Sequence, residues 1–246
     1  MRRLLFACGL FASIAQAQPG QCLRLESGVE ADVGMLAMAK DEIGAFRSIG
    51  DRALDALLQC PQSARLWYLA ARSAEVLENP SGGQAFAASG GLKKIVADAL
   101  SHAPTSAAVA TVSARVEGDS AAARKAFALD PNYAPGRRAL AEALAREGAV
   151  DEALGLAAAG SRRGPMHLTR ARVLLAGGRY PEALREATRV TPAEPDELSP
   201  AADLYRDAQE VRGFALLGLN RRAEARKVLR TAASVGSIAA QAQLAR

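Results

Sequence analysis

The stretches GAVDEAL (148–154) and GRYPEAL (178–184) share one pattern, in which a glycine precedes two variable residues, an acidic or turn residue and then Glu-Ala-Leu. The glycines of the two copies, Gly148 and Gly178, are 30 residues apart. A fixed period of about 20–50 residues is typical of chains built from stacked structural units. The pair of stretches therefore predicts a repeated fold.

The series continues in both directions when turn residues are aligned. Gly118 lies one period before Gly148, and Asn220 follows Gly178 at a longer spacing; each also stands five residues before an alanine. Glycine or asparagine just after a helix commonly adopts the left-handed conformation that ends it. Because the next helical pattern begins within a few residues, each turn predicts a hairpin of two helices.

Three of these turns are preceded by side chains of matching size at two fixed positions. The residues seven positions before the turn are small and those four positions before it are large: Ala141, Ala171 and Gly213, then Leu144, Leu174 and Leu216. Small and large side chains at fixed offsets allow helices to cross closely and interdigitate. The composition agrees, since half of the residues are hydrophobic but few are aromatic, and alanine is the best helix former. We predict an all-α fold.

The repeated segments resemble tetratricopeptide repeats. The resemblance rests on four segments, which are RRALAEALAREGAVDEALGLAAAG (137–160), HLTRARVLLAGGRYPEALREATRV (167–190), the junction AFALDPNYAPG (126–136) with Phe127 and Pro131, and ARLWYLAARSAEVLE (64–78) with Trp67. It covers most of the chain from about residue 64 onward, although the 30-residue period is shorter than the 34 residues of the family. It implies a right-handed α-solenoid of stacked helical hairpins, with the segment SIAAQAQLAR (237–246) as a C-terminal capping helix.

The periodicity predicts six hairpins and a closing helix. The predicted helices are 29–49, 51–59, 63–78, 91–102, 105–117, 119–129, 134–147, 150–161, 165–177, 180–190, 201–218, 221–234 and 237–246. The glycine-rich segment 79–91 and the proline-rich segment 191–200 interrupt the series, and we expect both to be connections between helices. The expected domains are an N-terminal helical segment, 18–62, and a repeat domain, 63–246.

The segment 1–17 has the pattern of a secretory signal peptide. Two arginines precede an apolar run that is too short to span a bilayer, and Ala-Gln-Ala (15–17) provides a small-residue cleavage site. The alternative is an uncleaved anchor. Cleavage after Ala17 would place the protein in the periplasm or outside the cell, with no integral membrane span remaining.

Charge and cysteine content constrain the partners and the compartment. Cleavage would leave 29 basic and 26 acidic residues, a net charge of +3 that looks spread along the chain, so no nucleic-acid partner is expected. It would also leave two cysteines, Cys22 and Cys60. An even number in an exported chain favours a disulfide over two free thiols, and this one would tether the N-terminal segment.

The sequence contains no recognised catalytic motif. The two histidines, His102 and His167, are far apart and are expected to be structural. The chain has no phosphate-binding loop, no Gly-x-Ser-x-Gly elbow and no cysteine–histidine cluster with zinc spacing. We therefore expect no catalytic residues, no metal site and no cofactor.

The remaining candidate site is a groove along the first helix of each hairpin, which in tetratricopeptide arrays binds a peptide. Residues ten, six and three positions before each turn share one helix face. The predicted groove residues are Arg138, Glu142, Leu168, Arg172, Leu175, Glu210, Phe214 and Leu217. This face is charged toward the middle and apolar toward its C-terminal end. The alternative is that its apolar members pack against the 191–200 segment or the final helix.

These features predict a non-catalytic scaffold of the periplasm or cell envelope that holds another protein or peptide in the groove. An alternative is an envelope module that binds carbohydrate or anionic lipid, which the scattered arginines would favour. The least favoured possibility is an enzyme with an unrecognised site.

Overall fold

The computed structural model describes residues 19–78, 91–159, 164–190 and 201–246. The described residues form helices and turns and contain no strand. The helices are α1 (Pro19–Met35), α2 (Glu42–Leu57), α3 (Ala64–Glu78), α4 (Leu92–His102), α5 (Ala107–Glu117), α6 (Ser120–Leu129), α7 (Ala134–Arg146), α8 (Val150–Ala158), α9 (Gly164–Ala176), α10 (Tyr180–Ala187), α11 (Ala201–Gly218), α12 (Arg222–Ser234) and α13 (Ile238–Leu244). A single 3₁₀ turn, Leu36–Met38, follows α1.

The four aligned turn residues all have left-handed backbone conformations. The φ angles are +78° at Gly118, +85° at Gly148, +70° at Gly178 and +61° at Asn220. At the last three, the amide of the following residue donates to a carbonyl five residues earlier at 2.9 Å, as in Arg179 to Leu174. This is the Schellman termination of a helix. The prediction that these residues occupy equivalent bends is confirmed.

The small and large residues around the turns form the contacts between helices. The alanines five residues after each turn, Ala123, Ala153, Ala183 and Ala225, are at most 1 % exposed. Ala141 and Ala171 are fully buried, and the leucines four residues before the turns are at most 5 % exposed. At the Asn220 hairpin a Cβ on Gly213 would lie 2.4 Å from Leu229 Cδ2, so a larger residue could enter this crossing of α11 and α12 only if Leu229 shifted.

The hairpins stack in sequence order. Helix α5 pairs with α6, α7 with α8, α9 with α10 and α11 with α12, while the first helices α3, α5, α7, α9 and α11 each contact the next in the series. No single hairpin can bury its own hydrophobic face, so the core continues from one unit to its neighbour. This agrees with the predicted α-solenoid, whereas its right-handed twist and the capping role of α13 stay predictions.

The predicted helices from residue 63 onward agree with the structure to within three residues at every end, but the first two predictions are wrong. The sequence predicts helices over 29–49 and 51–59, whereas α1 ends at Met35 and α2 runs from Glu42 to Leu57. The Asp41 side chain accepts a hydrogen bond from the amide of Gly44 at 2.9 Å and starts α2. Gly50, taken as a break, is instead buried in the middle of α2 beside the fully buried Ile49.

A disulfide between Cys22 and Cys60 joins α1 to the segment that follows α2. Further polar contacts hold α1, since Ser63 donates to Glu26 at 2.5 Å and Arg65 pairs with Glu30. The first core cluster runs from Val29 in α1 to Val112 in α5, so apolar packing is continuous across residue 62. The division into 18–62 and 63–246 stays a prediction.

Three sequence predictions fall outside the described residues. The signal peptide at 1–17 and the connecting segment at 191–200 lie there entirely, and the glycine-rich segment 79–91 is described only at Gly91. Among the helices that the structure describes, none is both long and apolar enough to cross a bilayer.

Candidate functional site

The first helices of the stack converge on one cavity of about 220 Å³, which we call the first-helix cavity. Helices α3, α5, α7, α9 and α11 all contribute side chains to its wall. Five arginines and four carboxylates line it: Arg72, Arg115, Arg138, Arg172 and Arg206, with Glu75, Glu142, Asp203 and Asp207. The cavity is thus more highly charged than the mixed face that the sequence predicts.

One ionic cluster joins α3 to α5. The Arg115 guanidinium donates to both oxygens of Glu75, at 2.7 and 2.8 Å, and Arg72 lies 2.8 Å from the same carboxylate. Burial alone would raise the pKa of Glu75, but Arg115 and Arg72 together hold this pKa below its ordinary value. Burial alone would lower the pKa of Arg115, but Glu75 more than offsets this and raises it. Both groups remain charged near neutral pH.

A second cluster joins α7, α9 and α11 through one guanidinium. Arg172 donates to Glu142 at 3.1 Å and to Asp207 at 2.5 Å, while Thr169 donates to Glu142 at 2.9 Å. Burial alone would raise the pKa of Glu142, but the charge of Arg172 and the hydrogen bond from Thr169 bring it below its usual range. Arg172 therefore ties three consecutive hairpins together with fixed charges.

The part of the cavity wall formed by α11 carries a carboxyl group whose pKa is raised rather than lowered. The Arg206 side chain, only 10 % exposed, donates to Asp203 at 2.5 Å and to Asp207 at 2.9 Å. Burial raises the pKa of Asp203, and the neighbouring Asp207 adds to the rise. Arg206 and Arg72 oppose it. Arg72 on α3 and Asp203 on α11 line the same cavity.

Six of the eight predicted groove residues line this cavity or the one next to it. Arg138, Glu142, Leu168 and Arg172 line the first-helix cavity, and Leu175 and Glu210 line an adjoining cavity that shares Glu142 and Arg172. Phe214 lies half-buried on α11 and lines neither. Leu217 packs against the cluster formed by Leu229, Ala232 and Ala240 and also lines neither cavity.

The sequence reasoning missed the lining residues of α3, α5 and the first half of α11. Arg115 occupies the position three residues before Gly118, so the same offset finds it once that turn is included. On α11 the predicted residues extend backward with spacings of three and four to Asp207 and Asp203. This helix has 18 residues against 13 in α7, and its extra turns carry the missed carboxylates.

The two histidines lie outside the cavity and have local partners. His102 Nδ1 lies 2.8 Å from the carbonyl oxygen of Asp98, and its ring stacks on Trp67 with 4.9 Å between centroids. His167 Nδ1 lies 2.7 Å from Glu186 Oε2. Among the described residues, no group of three or more histidines, cysteines or carboxylates is arranged to hold a metal ion.

Comparison with solved structures reveals a shared fold. The chain is similar to the crystal structure of PilW, a widely conserved type IV pilus biogenesis factor, with a TM-score of 0.55 over 93 % of this chain and all of that one. The two sequences are 17 % identical, so the likeness concerns the fold. No protein-family model and no curated protein matches the chain.

Proposed function

We propose that this protein is a non-catalytic scaffold that holds a segment of a partner protein in the first-helix cavity. The observation that carries the proposal is the convergence of five successive first helices on one charged cavity. Its carboxylates at Glu75 and Glu142 have lowered pKa values because arginines face them, so the charges are fixed in place. Fixed, complementary charges select a partner and its register.

The lining of the cavity favours protein side chains as its contents. The first-helix cavity has a volume of about 220 Å³, and the adjoining cavity, which shares Glu142 and Arg172, has about 490 Å³. Both guanidinium and carboxylate groups line the wall of the first-helix cavity, which suits a segment that carries charges of both signs. A partner would insert a few side chains there while its main chain lies along the first helices.

We place this activity in the periplasm or cell envelope, on the signal-peptide pattern of residues 1–17 and the Cys22–Cys60 disulfide. The fold shared with PilW, a type IV pilus biogenesis factor, leads us to extend the proposal to the assembly of an envelope structure. A pilus count on cells that lack this protein tests that extension separately.

The cavity gives less support to carbohydrate or anionic lipid as its ligand. No aromatic residue is among its described lining, so a sugar ring has no stacking surface. Arg115 and Arg172 are already paired with carboxylates at 2.5–3.1 Å, which reduces their attraction for a further anion. Both observations count against carbohydrate and anionic lipid as the ligand of this cavity.

Site-specific photo-crosslinking tests the proposal in intact cells. A crosslinking amino acid at Arg138, which lines the cavity, is expected to form a discrete adduct with one partner. The matched position is Arg185, an exposed arginine on α10 outside the cavity, which should give no such adduct. Adducts of equal yield from both positions, or from neither, would reject the cavity as the binding site.

Charge reversal gives a second, independent test. Arg138→Glu replaces one guanidinium of the wall with a carboxylate and should weaken partner capture from envelope extract, whereas Arg185→Glu should not. Phe214→Ala examines the part of the predicted groove that lies beyond the cavity. Circular dichroism of each variant checks that it is folded, so that a loss of partner capture is not caused by unfolding.

A further inference from the structure

The net positive charge of the chain is concentrated in one segment. This corrects the expectation that it is spread along the chain. The segment 219–246 contains six of the 31 basic residues but only one of the 26 acidic residues. The rest of the chain, 1–218, therefore carries 25 of each and has no net charge. The whole formal charge of +5 belongs to α12, α13 and their flanking residues.

Helix α12 presents these charges on its outward side. Ala225, Leu229 and Ala232 form its buried face, whereas Arg222, Arg226, Lys227 and Arg230 are exposed. We call these four exposed residues the α12 basic face. In the described chain no carboxylate pairs with them, because the acidic residue of this segment, Glu224, accepts both of its 2.7 Å hydrogen bonds from Arg221.

Three exposed arginines in and beside other second helices have a carboxylate partner, whereas Arg185 on α10 has no ion pair among the described residues. Arg124 pairs with Glu152 at 2.7 Å, Arg179 with Glu182 at 2.5 Å and Arg189 with Glu186 at 2.8 Å. The α12 basic face differs from these arginines because four exposed basic residues lie close together on one helix. Because four like charges on adjacent helical turns repel one another, the face costs stability that an anionic partner would restore.

Two exposed apolar side chains follow α12 in the chain. Val235 and Ile238, just after α12, are 41 % and 55 % exposed. Basic residues on a helix next to exposed apolar side chains are the pattern of proteins that lie on anionic membranes. The segment 219–246 contains no aromatic side chain on which a nucleic-acid base could stack, which favours lipid over single-stranded nucleic acid.

We propose that the α12 basic face docks the protein on an anionic phospholipid surface, with Val235 and Ile238 entering the headgroup layer. The first-helix cavity is lined by α3, α5, α7, α9 and α11 and receives no residue from α12. Docking therefore leaves the cavity accessible to a partner. This inference concerns a surface separate from the proposed partner site, and either can fail without the other.

Vesicle sedimentation with the chain from residue 18 onward, which lacks the basic and apolar segment 1–17, tests the docking. Vesicles that contain phosphatidylglycerol in phosphatidylcholine should bind the protein at about 50 mM salt and release it at about 500 mM, because salt screens exposed charges. Vesicles of phosphatidylcholine alone should not bind it. Equal binding to neutral vesicles, or no binding to anionic vesicles at low salt, overturns the proposal, and so does capture of duplex DNA in place of vesicles.

Two triple variants with the same loss of charge identify the surface. Arg226→Gln, Lys227→Gln and Arg230→Gln together should lower the partition coefficient about a hundredfold, since each basic residue near an anionic surface contributes roughly fivefold. The control combines Arg24→Gln, Lys40→Gln and Lys93→Gln, three exposed residues of the N-terminal half. Ile238→Gln should cause a smaller loss that persists at high anionic lipid content. Equal loss in both triple variants overturns the assignment to α12.

Discussion

The turn residues were readable from the sequence because their backbone conformation restricts the residue type. A left-handed φ is unfavourable for side chains with a Cβ, and glycine and asparagine tolerate it best. Gly118, Gly148, Gly178 and Asn220 all have such angles. Gly236 has one too, at +94°, with the same Schellman hydrogen bonds. The sequence did not identify Gly236 as a turn residue, because it follows Asn220 at a shorter distance than the period of 30 residues that separates the aligned glycines.

Substitution by alanine should have opposite effects on stability at two glycines whose surroundings are open. A Cβ added to Gly178 or to Gly155 would meet no atom within 4 Å, so neither substitution causes a clash. Gly178 has a φ of +70°, and Gly178→Ala should lower the free energy of unfolding by about 1 kcal/mol. Gly155 lies inside α8, and Gly155→Ala should raise it by about 0.5–1 kcal/mol. Urea denaturation of both variants measures the difference, and a shift of the same sign in both would contradict this account.

The lowered pKa of Glu75 predicts how stability depends on pH. A carboxyl with a lower pKa in the folded state stabilises the fold above its unfolded pKa, and this contribution is lost as pH falls through the folded value. Arg115 and Arg72 hold the pKa of Glu75 below 4.5. Glu75→Gln should therefore be less stable than the wild type at neutral pH, and the gap should close below about pH 4. Unfolding free energies between about pH 3 and pH 7 measure it.

Asp203 provides a control of opposite sign. Burial raises its pKa above 3.8, so its contribution to stability is present below the unfolded pKa and is lost as pH rises through the folded pKa. Asp203→Asn keeps an acceptor for Arg206 but removes the ionisation. Relative to the wild type this variant should gain stability as the solution changes from about pH 3 to pH 6. A loss of stability relative to the wild type over this range would contradict the assigned direction.

At the scale of the helix, tertiary packing decided what local signals could not. Gly50 suggested a break, yet it lies inside α2 because the helix buries Phe46, Ile49 and Ala53 against its neighbours. Asp41 is a helix-capping residue that marks the true start. From α3 onward each helix carries its own turn and its own small residues. Those boundaries could therefore be predicted from local sequence alone.

The crossing of α11 and α12 predicts a strong effect of one methyl group. A Cβ at Gly213 would lie 2.4 Å from Cδ2 and 2.5 Å from Cγ of Leu229, a side chain that is 1 % exposed. Gly213→Ala should therefore cost about 1–3 kcal/mol through overpacking, despite the better helix propensity of alanine. Thermal unfolding measures the loss.

A compensating variant separates overpacking from other causes. Leu229→Ala removes the atoms that the new methyl group would strike, at the cost of a cavity. The double variant of Gly213→Ala and Leu229→Ala should then be more stable than the sum of the two single losses predicts. Strict additivity would show that the close approach does not limit this crossing.

For the whole molecule, the stack could be predicted from sequence and most of its charge network could not. The Glu142–Arg172 pair spans 30 residues, one repeat period, so equal offsets from successive turns find both residues. The pairs Glu75–Arg115 and Arg172–Asp207 span 40 and 35 residues, because the segments 79–90 and 191–200 change the spacing. An insertion between repeats leaves the helix faces next to each other in the fold. It changes the number of residues between them, so a fixed spacing no longer finds the partner.

Arg172 makes the unfolding of successive hairpins depend on one another. Its guanidinium bridges Glu142 and Asp207, so Arg172→Gln leaves two carboxylates close together without their shared cation. The side chain is 37 % exposed, and solvent screening should limit the loss to about 1–3 kcal/mol. Arg179→Gln removes an exposed pair within one turn and should cost less than about 1 kcal/mol.

The single tryptophan makes it possible to measure which part of the stack loses stability in Arg172→Gln. Trp67 lies on α3 at the other end of the stack, whereas circular dichroism reports all helices. In a linear stack each unit is stabilised by its neighbours, so weakening the α7–α9–α11 contact should unfold the later hairpins first. Arg172→Gln should therefore lose helical signal at a lower urea concentration than Trp67 fluorescence, and Arg179→Gln should show coincident transitions. If both signals shift equally in Arg172→Gln, the hairpins unfold as one unit and this guanidinium is not what couples them.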